Sequence, residues 1–320
     1  MTADWRPTAN RAALELRARM LARTRKFFAK RGVLEVQTPI LSAAGSSDPQ
    51  IDSLHTRIAG RPQAWYLNTS PEFAMKRLLA AGSGDIYQLS KVFRDGEIGR
   101  WHEPEFSLLE WYRVGFDDHA LMDEVAELLA TLLPASPAGA PERLSYREAL
   151  QRHAGVDSHS ATDEDLAQAA RRAGIDCPSE LDRDARLDLL MSLVVGPKLG
   201  RGRITFVCDY PASQAALARL KPGQPAAAAR FELYREGIEL ANGFHELTDA
   251  DEQRARFESD LKLRRQRGQP TPPMDERLLA ALAAGMPDCA GVALGFDRLV
   301  AIALGADRLA PALSFVLDNA

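Results

Sequence analysis

The stretch GVALGFDRL, Gly291 to Leu299, decides how the rest of the chain is read. Small residues at Gly291, Ala293 and Gly295 let the backbone of an apolar strand come close to a ligand, and Arg298 follows three residues after the last glycine. Such a turn suits a phosphate. Arginine is permanently charged and forks onto phosphate oxygens, and a helix starting at the turn adds oriented backbone N–H groups. A packing glycine beside a solvated arginine gives the same letters, so the phosphate reading needs other parts of a nucleotide site elsewhere in the chain.

Composition permits such a site. With 320 residues, 46% hydrophobic and 26% charged, the chain can bury one large core or two modest ones. The first residues, MTADWRPTANR, lack the basic and apolar segments of a signal peptide, and no run of about 18 apolar residues predicts a membrane span. A cytoplasmic protein without membrane partners is expected. Cys177, Cys208 and Cys289 are odd in number and far apart, without CxxC spacing, which predicts buried free thiols rather than zinc or redox chemistry. A net charge of −4 provides no global field for nucleic acid.

A long helix opens the chain, because Leu16, Met20 and Phe27 share one face; Asn10 can cap it and Gly32 can stop it. The segment from Val33 then alternates as a strand towards Pro39. Further strands are expected at Trp65 to Thr69, Ile86 to Val92, Phe106 to Val114, Ile204 to Tyr210, Phe231 to Tyr234, Ile238 to Gly243 and Val292 to Leu294. Short turns between many of them predict a mostly antiparallel sheet flanked by helices, an α+β fold. Leu133 to Pro141 reads as a surface linker, Glu142 to Gly200 as a mainly helical insertion, and Ala226 to Ala229 as a small alanine tract before a strand.

A second part of the site is VFRDGEIGRWHEPEFSLLEWY, Val92 to Tyr112. Two apolar strands flank a polar loop, with Arg94 leaving the first and His102 and Phe106 entering the second, so cation, imidazole and aromatic ring can surround one nucleotide. A hairpin with a solvated charged loop is the competing account. Beyond the loop, Glu110 and Tyr112 alternate to the same face and can reach a cationic group. The third part is FELYREGIELANGFHEL, Phe231 to Leu247, a hairpin turning near Glu236 and Gly237. Glu232 and Glu239 can meet across it, while Asn242, Phe244 and Glu246 alternate to one face. Paired carboxylates repel without a cation, and Mg2+ bridging ATP phosphates relieves that repulsion. Exposed acids on an edge strand are the alternative.

These stretches together resemble the catalytic core of the class II aminoacyl-tRNA synthetases, nearest the lysyl type. RGVLEVQTP resembles the first family motif, FRDGEIGRWHEPEF the second and GVALGFDRL the third, with GIELANGFHEL as a further long match. The resemblance implies a single class II synthetase-like catalytic domain over 1–320, with the insertion at about 142–200, dimerising through the first motif into a homodimer. It makes Arg94 the clamp on the ATP α-phosphate, His102 a phosphate contact, Phe106 the adenine stack and Arg298 the γ-phosphate arginine; Gly96, Glu97, Glu103, Leu240 and Gly295 fall among the ATP-binding positions. Glu232 and Glu239 become the magnesium acids. In the lysyl type, Ser70 and Glu72 of the TSPE segment lie at the backbone amine, while Glu110, Tyr112, Asn242, Phe244 and Glu246 surround the remainder of a diamino acid, rejecting substrates that leave the acids unpaired.

Two positions depart from the family pattern. Gly96 stands where the second motif has glutamate, with Glu97 next, so Glu97 can replace it only if the loop bends differently. Glu103 stands where the lysyl type has asparagine. The core begins near Asn10, without room for an anticodon-binding barrel, so the likeness is nearest to truncated lysyl-type ligases that attach a lysine, preferably (R)-β-lysine, to a lysine of elongation factor P. The segments YPASQAALA and AIALGADRLAPALSFVLDNA fit as well. The implied reaction forms an aminoacyl adenylate from ATP and passes the acyl group to protein rather than tRNA. Alternatives are a stand-alone enzyme charging tRNA and a non-catalytic regulatory paralogue, which would be expected to lack Arg94, Arg298 or the magnesium acids. Glycine is usual where Ala293 stands, and the added methyl predicts a bias between α- and β-amino acids.

Overall fold

The computed structural model describes residues 5–133, 140–223 and 226–320. Helix α1, Arg11–Ala29, starts where the Asn10 side chain accepts the Ala13 N–H, and the chain turns away at Gly32, whose φ is +68°. Short strands β1 (Leu34–Glu35), β2 (Leu41–Ser42), β3 (His55–Arg57) and β4 (Ala64–Leu67) precede α2 (Glu72–Ala80). The long hairpin β5 (Ile86–Phe93) and β6 (Glu105–Val114) leads to α3 (Asp118–Leu132), then β7 (Glu142–Ser145) and helices α4 (Tyr146–Ala154), α5 (Asp163–Arg172) and α6 (Arg183–Leu190). After β8 (Thr205–Pro211) and β9 (Leu220–Lys221) come the hairpin β10 (Ala227–Arg235) and β11 (Ile238–His245), helices α7 (Ala250–Gln266) and α8 (Glu276–Gly285), strand β12 (Cys289–Gly295) and α9 (Phe296–Ala303).

The main sheet runs β1-β5-β6-β12-β11-β10-β8-β7, with β9 beside β10, and β2-β4-β3 form a small separate sheet. Its interior pairs are antiparallel, as expected, and both edge pairs, β1 with β5 and β7 with β8, are parallel. Strand β12 lies between β6 and β11 although it comes last in the chain, so the closing stretch completes the centre of the sheet.

One sheet face packs Leu109, Trp111, Val292 and Leu294 against Met20 and Phe28 of α1 and Val125 and Leu128 of α3. Phe28 stacks on Tyr87 at 4.3 Å, and Trp111 donates its indole N–H to Glu124. Helices α4 to α6 cover Val207, Tyr210 and Ala228, while α2 and α8 cover Ile86, Tyr112 and Cys289.

Several expectations change. The strand foreseen from Val33 to Pro39 is reduced to Leu34–Glu35, because only this short run pairs with β5 before the chain turns off. The alanine tract belongs to β10 itself from Ala227 onward, where small side chains fit between β8 and β9. The insertion opens with a strand, β7, before turning helical. Cys208 and Cys289 are buried but Cys177 is only half-buried, and all three are free thiols. The expected linker at 133–141 falls, over 134–139, outside the described residues. Among the described residues no helix is long and apolar enough to cross a membrane.

Candidate active site

A cavity of about 640 Å³ opens on the sheet face opposite α1 and α3. Strand register sets its floor. Glu110, Ala293, Asn242 and Glu232 stand opposite one another on β6, β12, β11 and β10, and Tyr112, Gly291, Phe244 and Arg230 form the next row. Because side chains alternate along a strand, both rows share one face. Glu239 would point the other way by parity, but a bulge pairs Leu233 with Ala241 and Tyr234 with Glu239, leaving Leu240 extra. Leu240 and Ala241 consequently both pack into the core, and Glu239 returns to the cavity beside Asn242.

At one end of the cavity the second and third motifs meet. The Arg94 guanidinium lies 5.1 Å from the centroid of Phe106, a cation over an aromatic face. Gly96 has φ +75°, and this left-handed step turns the loop so that Glu97 comes back to Arg94 at 3.3 Å. The bend thus brings a carboxylate to the guanidinium one residue later than the family pattern has it. Arg298 donates to the Trp101 and Glu239 carbonyls at 3.2 and 2.9 Å and to Nε2 of His102 at 2.7 Å. Burial, then the Arg298 charge, lowers the His102 pKa, so the imidazole is neutral and accepts from the guanidinium. Gly295 caps α9, and a Cβ added there would meet the Arg298 side chain at 3.6 Å, an ordinary van der Waals contact. Glu103 borders the cavity and accepts the Leu317 N–H at 3.1 Å, tying the loop to the C-terminal segment.

The other end is acidic and deeper. Ser70 accepts the Glu72 N–H at the start of α2 and donates to Glu110 at 2.7 Å, while the Tyr112 hydroxyl donates to the second Glu110 oxygen at 2.6 Å. Burial, reinforced by Glu72, pushes the Glu110 pKa up to about 8. Ser70, Glu72, Asn242, Phe244 and Ala293 line the cavity, whereas Glu110, Tyr112 and Glu246 lie beneath its surface. Gly291 explains how they fit: a Cβ there would overlap the Tyr112 ring and the Glu246 carboxylate. The space that the sequence suggested for a ligand is filled by these two side chains.

Glu239 accepts no side-chain hydrogen bond from a described residue; burial, then Glu232, raises its pKa to about 7, against Arg298, Arg230 and Arg94. Glu232 is held at 2.6 Å by both Arg230 and the Tyr234 hydroxyl. One unengaged carboxylate beside a second fits an ion that takes one or two carboxylates plus phosphate oxygens.

The sequence reading missed Lys76, Arg230, Asp297 and Gln253. Lys76 stands one helical turn after Glu72, a spacing that could have revealed it. Arg230 could have been found two residues before Glu232, on the same strand face. Asp297, inside the third motif, takes Arg17 of α1 at 2.5 Å and the Ser107 N–H at 2.7 Å, so α1, β6 and α9 converge on it. That convergence is not visible in sequence.

Comparison with known proteins agrees with this geometry. The family model for tRNA synthetases class II (D, K and N) matches residues 2–319. Proteins named elongation factor P (R)-β-lysine ligase from Salmonella dublin and Salmonella paratyphi B are each 49% identical over 325 residues, covering 100% of this chain and 99% of theirs.

Proposed function

The chain belongs to the family of class II tRNA synthetases of the D, K and N type, and from that premise we propose that it is an ATP-dependent ligase that activates (R)-β-lysine, or lysine, and transfers it to a lysine side chain of elongation factor P. The observation that carries this reading is one cavity with Arg94 over Phe106 at one end and Glu72 beside buried Glu110 and Glu246 at the other. The first end suits a nucleotide triphosphate, the second a substrate with two amines.

In the first step a carboxylate oxygen of the diamino acid attacks the α-phosphorus of ATP, and the bond to pyrophosphate breaks. This step needs alignment and charge stabilisation more than proton transfer. Arg94 neutralises charge on the α-phosphate, Glu97 fixes the guanidinium plane, and Phe106 stacks the adenine. Arg298, steadied by His102 and the Trp101 and Glu239 carbonyls, faces the departing pyrophosphate. Glu239, with Glu232, would hold Mg2+, whose chemistry is to neutralise the phosphate oxygens. In the second step the acceptor amine attacks the acyl carbon and AMP leaves.

The acceptor surface is proposed to be protein rather than tRNA, and the enzyme to be a cytoplasmic homodimer. Support for the dimer is the exposed apolar row at the first motif, where Leu34, Ile40 and Leu41 are 56%, 41% and 39% exposed. Pyrophosphate exchange driven by (R)-β-lysine, followed by transfer of label to purified elongation factor P, tests the reading. Alkali-stable label on protein is expected. Acid-precipitable, alkali-labile label on tRNA would favour tRNA charging, and no exchange with any diamino acid would overturn the assignment.

A further inference from the structure

The cavity extends past the site described above along helix α7. Gln253, Arg256, Phe257 and Asp260 all line it, at the spacing of one helical face. Asp260 faces Ser47 of the half-buried loop 43–53, whose hydroxyl, 3.4 Å away, makes its one hydrogen bond among the described residues. The cations nearest to it are committed elsewhere. Arg256 donates to the Ala216 and Ala218 carbonyls at 2.7 and 2.8 Å and pairs with Glu252. Arg264 donates to the Asp48 and Pro270 carbonyls at 2.7 and 2.6 Å and pairs with Asp52. Asp260 therefore presents an unpaired carboxylate to the cavity.

Gln253 provides an independent sign of a missing ligand. It is 1% exposed, it lines the cavity, and both its amide oxygen and its amide nitrogen lack a hydrogen-bond partner. A buried amide without partners costs about 1–3 kcal/mol unless a ligand or water satisfies it. Because α7 begins at Ala250, four residues after Glu246, Gln253 in its first turn marks the amino-acid end of this lobe, and Asp260 lies about 10 Å further along the helix axis at ~1.5 Å per residue.

We propose that this lobe admits the acceptor lysine, with Asp260 receiving its ammonium and taking a proton from it before the amine attacks the acyl adenylate. The proposal rests on the two-step ligation described above and supplies the base that the motif residues do not. The acceptor arrives as R–NH3+ and gives one proton to the Asp260 carboxylate. The freed lone pair forms the C–N bond, the C–O bond to AMP breaks with its electrons on the phosphate, and the nitrogen loses its second proton to that phosphate. Gln253 is placed to accept an N–H of the neutral amine as it moves inward.

The electrostatics around Asp260 suit a base. Burial, then the Asp48 charge, raises its pKa to about 7, against Ser47, Arg256 and Arg264. Asp275, Glu276 and Arg277, in the segment before and at the start of α8, and Arg77 of α2 also line the cavity, and Glu276 is paired with Arg254. A carboxylate of this kind is ionised enough near pH 7 to bind a cation and basic enough to take its proton.

Asp260→Asn separates this role from the others. Pyrophosphate exchange with (R)-β-lysine should stay within about twofold of wild type, and transfer to elongation factor P should fall at least tenfold. Hydroxylamine, a nucleophile already neutral near pH 7, should still capture the activated acyl group at the wild-type rate. Residual transfer should rise with pH towards the ionisation of the lysine amine, and Asp260→Glu should recover transfer in part. If Asp260→Asn does not fold, Asp260→Ser serves for the same comparison. Transfer within twofold of wild type would overturn the role of Asp260, as would a parallel fall in exchange, hydroxylamine capture and transfer. Absence of exchange in the wild-type enzyme would instead overturn the ligation reaction, and this role with it.

Discussion

Lys76 and Glu246, each 1% exposed, form an ion pair at 2.6 Å beneath the floor of the cavity. Glu72 reaches the same ammonium at 2.6 Å from the preceding turn of α2. A cation of the chain itself thus stands among the acids that the family resemblance assigns to substrate amines. Burial opposes the Lys76 charge, but Glu246 and Glu72 outweigh it and raise its pKa above the ordinary 10.5.

Removing that cation leaves carboxylates buried without compensation. Lys76→Met should lower the unfolding free energy by about 3–5 kcal/mol, the cost of breaking a buried pair from one side. Lys76→Met combined with Glu246→Gln should recover part of the loss. Urea denaturation measures both, and equal losses in the single and double variants would argue against the pairing. Since the folded pKa exceeds the unfolded one, this stabilisation is complete at neutral pH and fades only as pH climbs above about 10.5.

The Glu97 contact with Arg94 depends on the left-handed step at Gly96. Glu97→Ala should reduce pyrophosphate exchange by ~10–100-fold, as expected for loss of a hydrogen bond to a charged group worth about 1.5–3 kcal/mol. Melting temperature should hardly change, because the loop is at the surface. An exchange rate equal to wild type would mean that Glu97 does not replace the displaced glutamate.

His102 gives adenylation an acid limb. The fold favours the neutral imidazole, so protonation sets in below the ordinary 6.5, and a protonated Nε2 can no longer accept from Arg298. Exchange should therefore fall as pH drops below that value. His102→Gln keeps an acceptor that does not titrate and should flatten the limb; a pH profile unaltered by the substitution would sink this account.

Ala293 sits between Glu110 and Asn242 in the row across the cavity floor. Its methyl takes space beside the amino-acid end, so Ala293→Gly should improve the use of α-lysine relative to β-lysine. The ratio of kcat/KM values in exchange assays reads this directly, and an unchanged ratio would count against it.

Much of the site was legible because its chemistry is local. Arg94, Glu97 and His102 lie in one hairpin loop and Phe106 at the start of the strand that follows it, and a short motif fixes their order and spacing. The antiparallel sheet followed from short turns, and the β10–β11 hairpin from Glu236 and Gly237, whose φ angles of +53° and +77° are those of a two-residue turn. Glu239 was expected to meet Glu232 across this hairpin, but the bulge that lets it share a face with Asn242 leaves no trace in hydrophobic pattern. The first-motif strand was overestimated because parallel pairing at a sheet edge is settled by how far the partner runs alongside.

The sequence by itself determined the family and the α+β class, and it pointed to the residues proposed to carry nucleotide chemistry, because these depend on side-chain type and on separations of a few positions. Tertiary structure alone decided which charges remain free. Lys76 is spent on Glu72 and Glu246, Glu110 on Ser70 and Tyr112, and Glu232 on Arg230 and Tyr234, whereas Glu239 and Asp260 are left open to the cavity. A carboxylate's availability depends on its partners. Glu246 meets Lys76 and Glu110 meets Ser70 only through packing of segments far apart in the chain. Glu72, Glu232 and the second oxygen of Glu110 instead take partners two to four residues away, whose contact the fold then closes off from water.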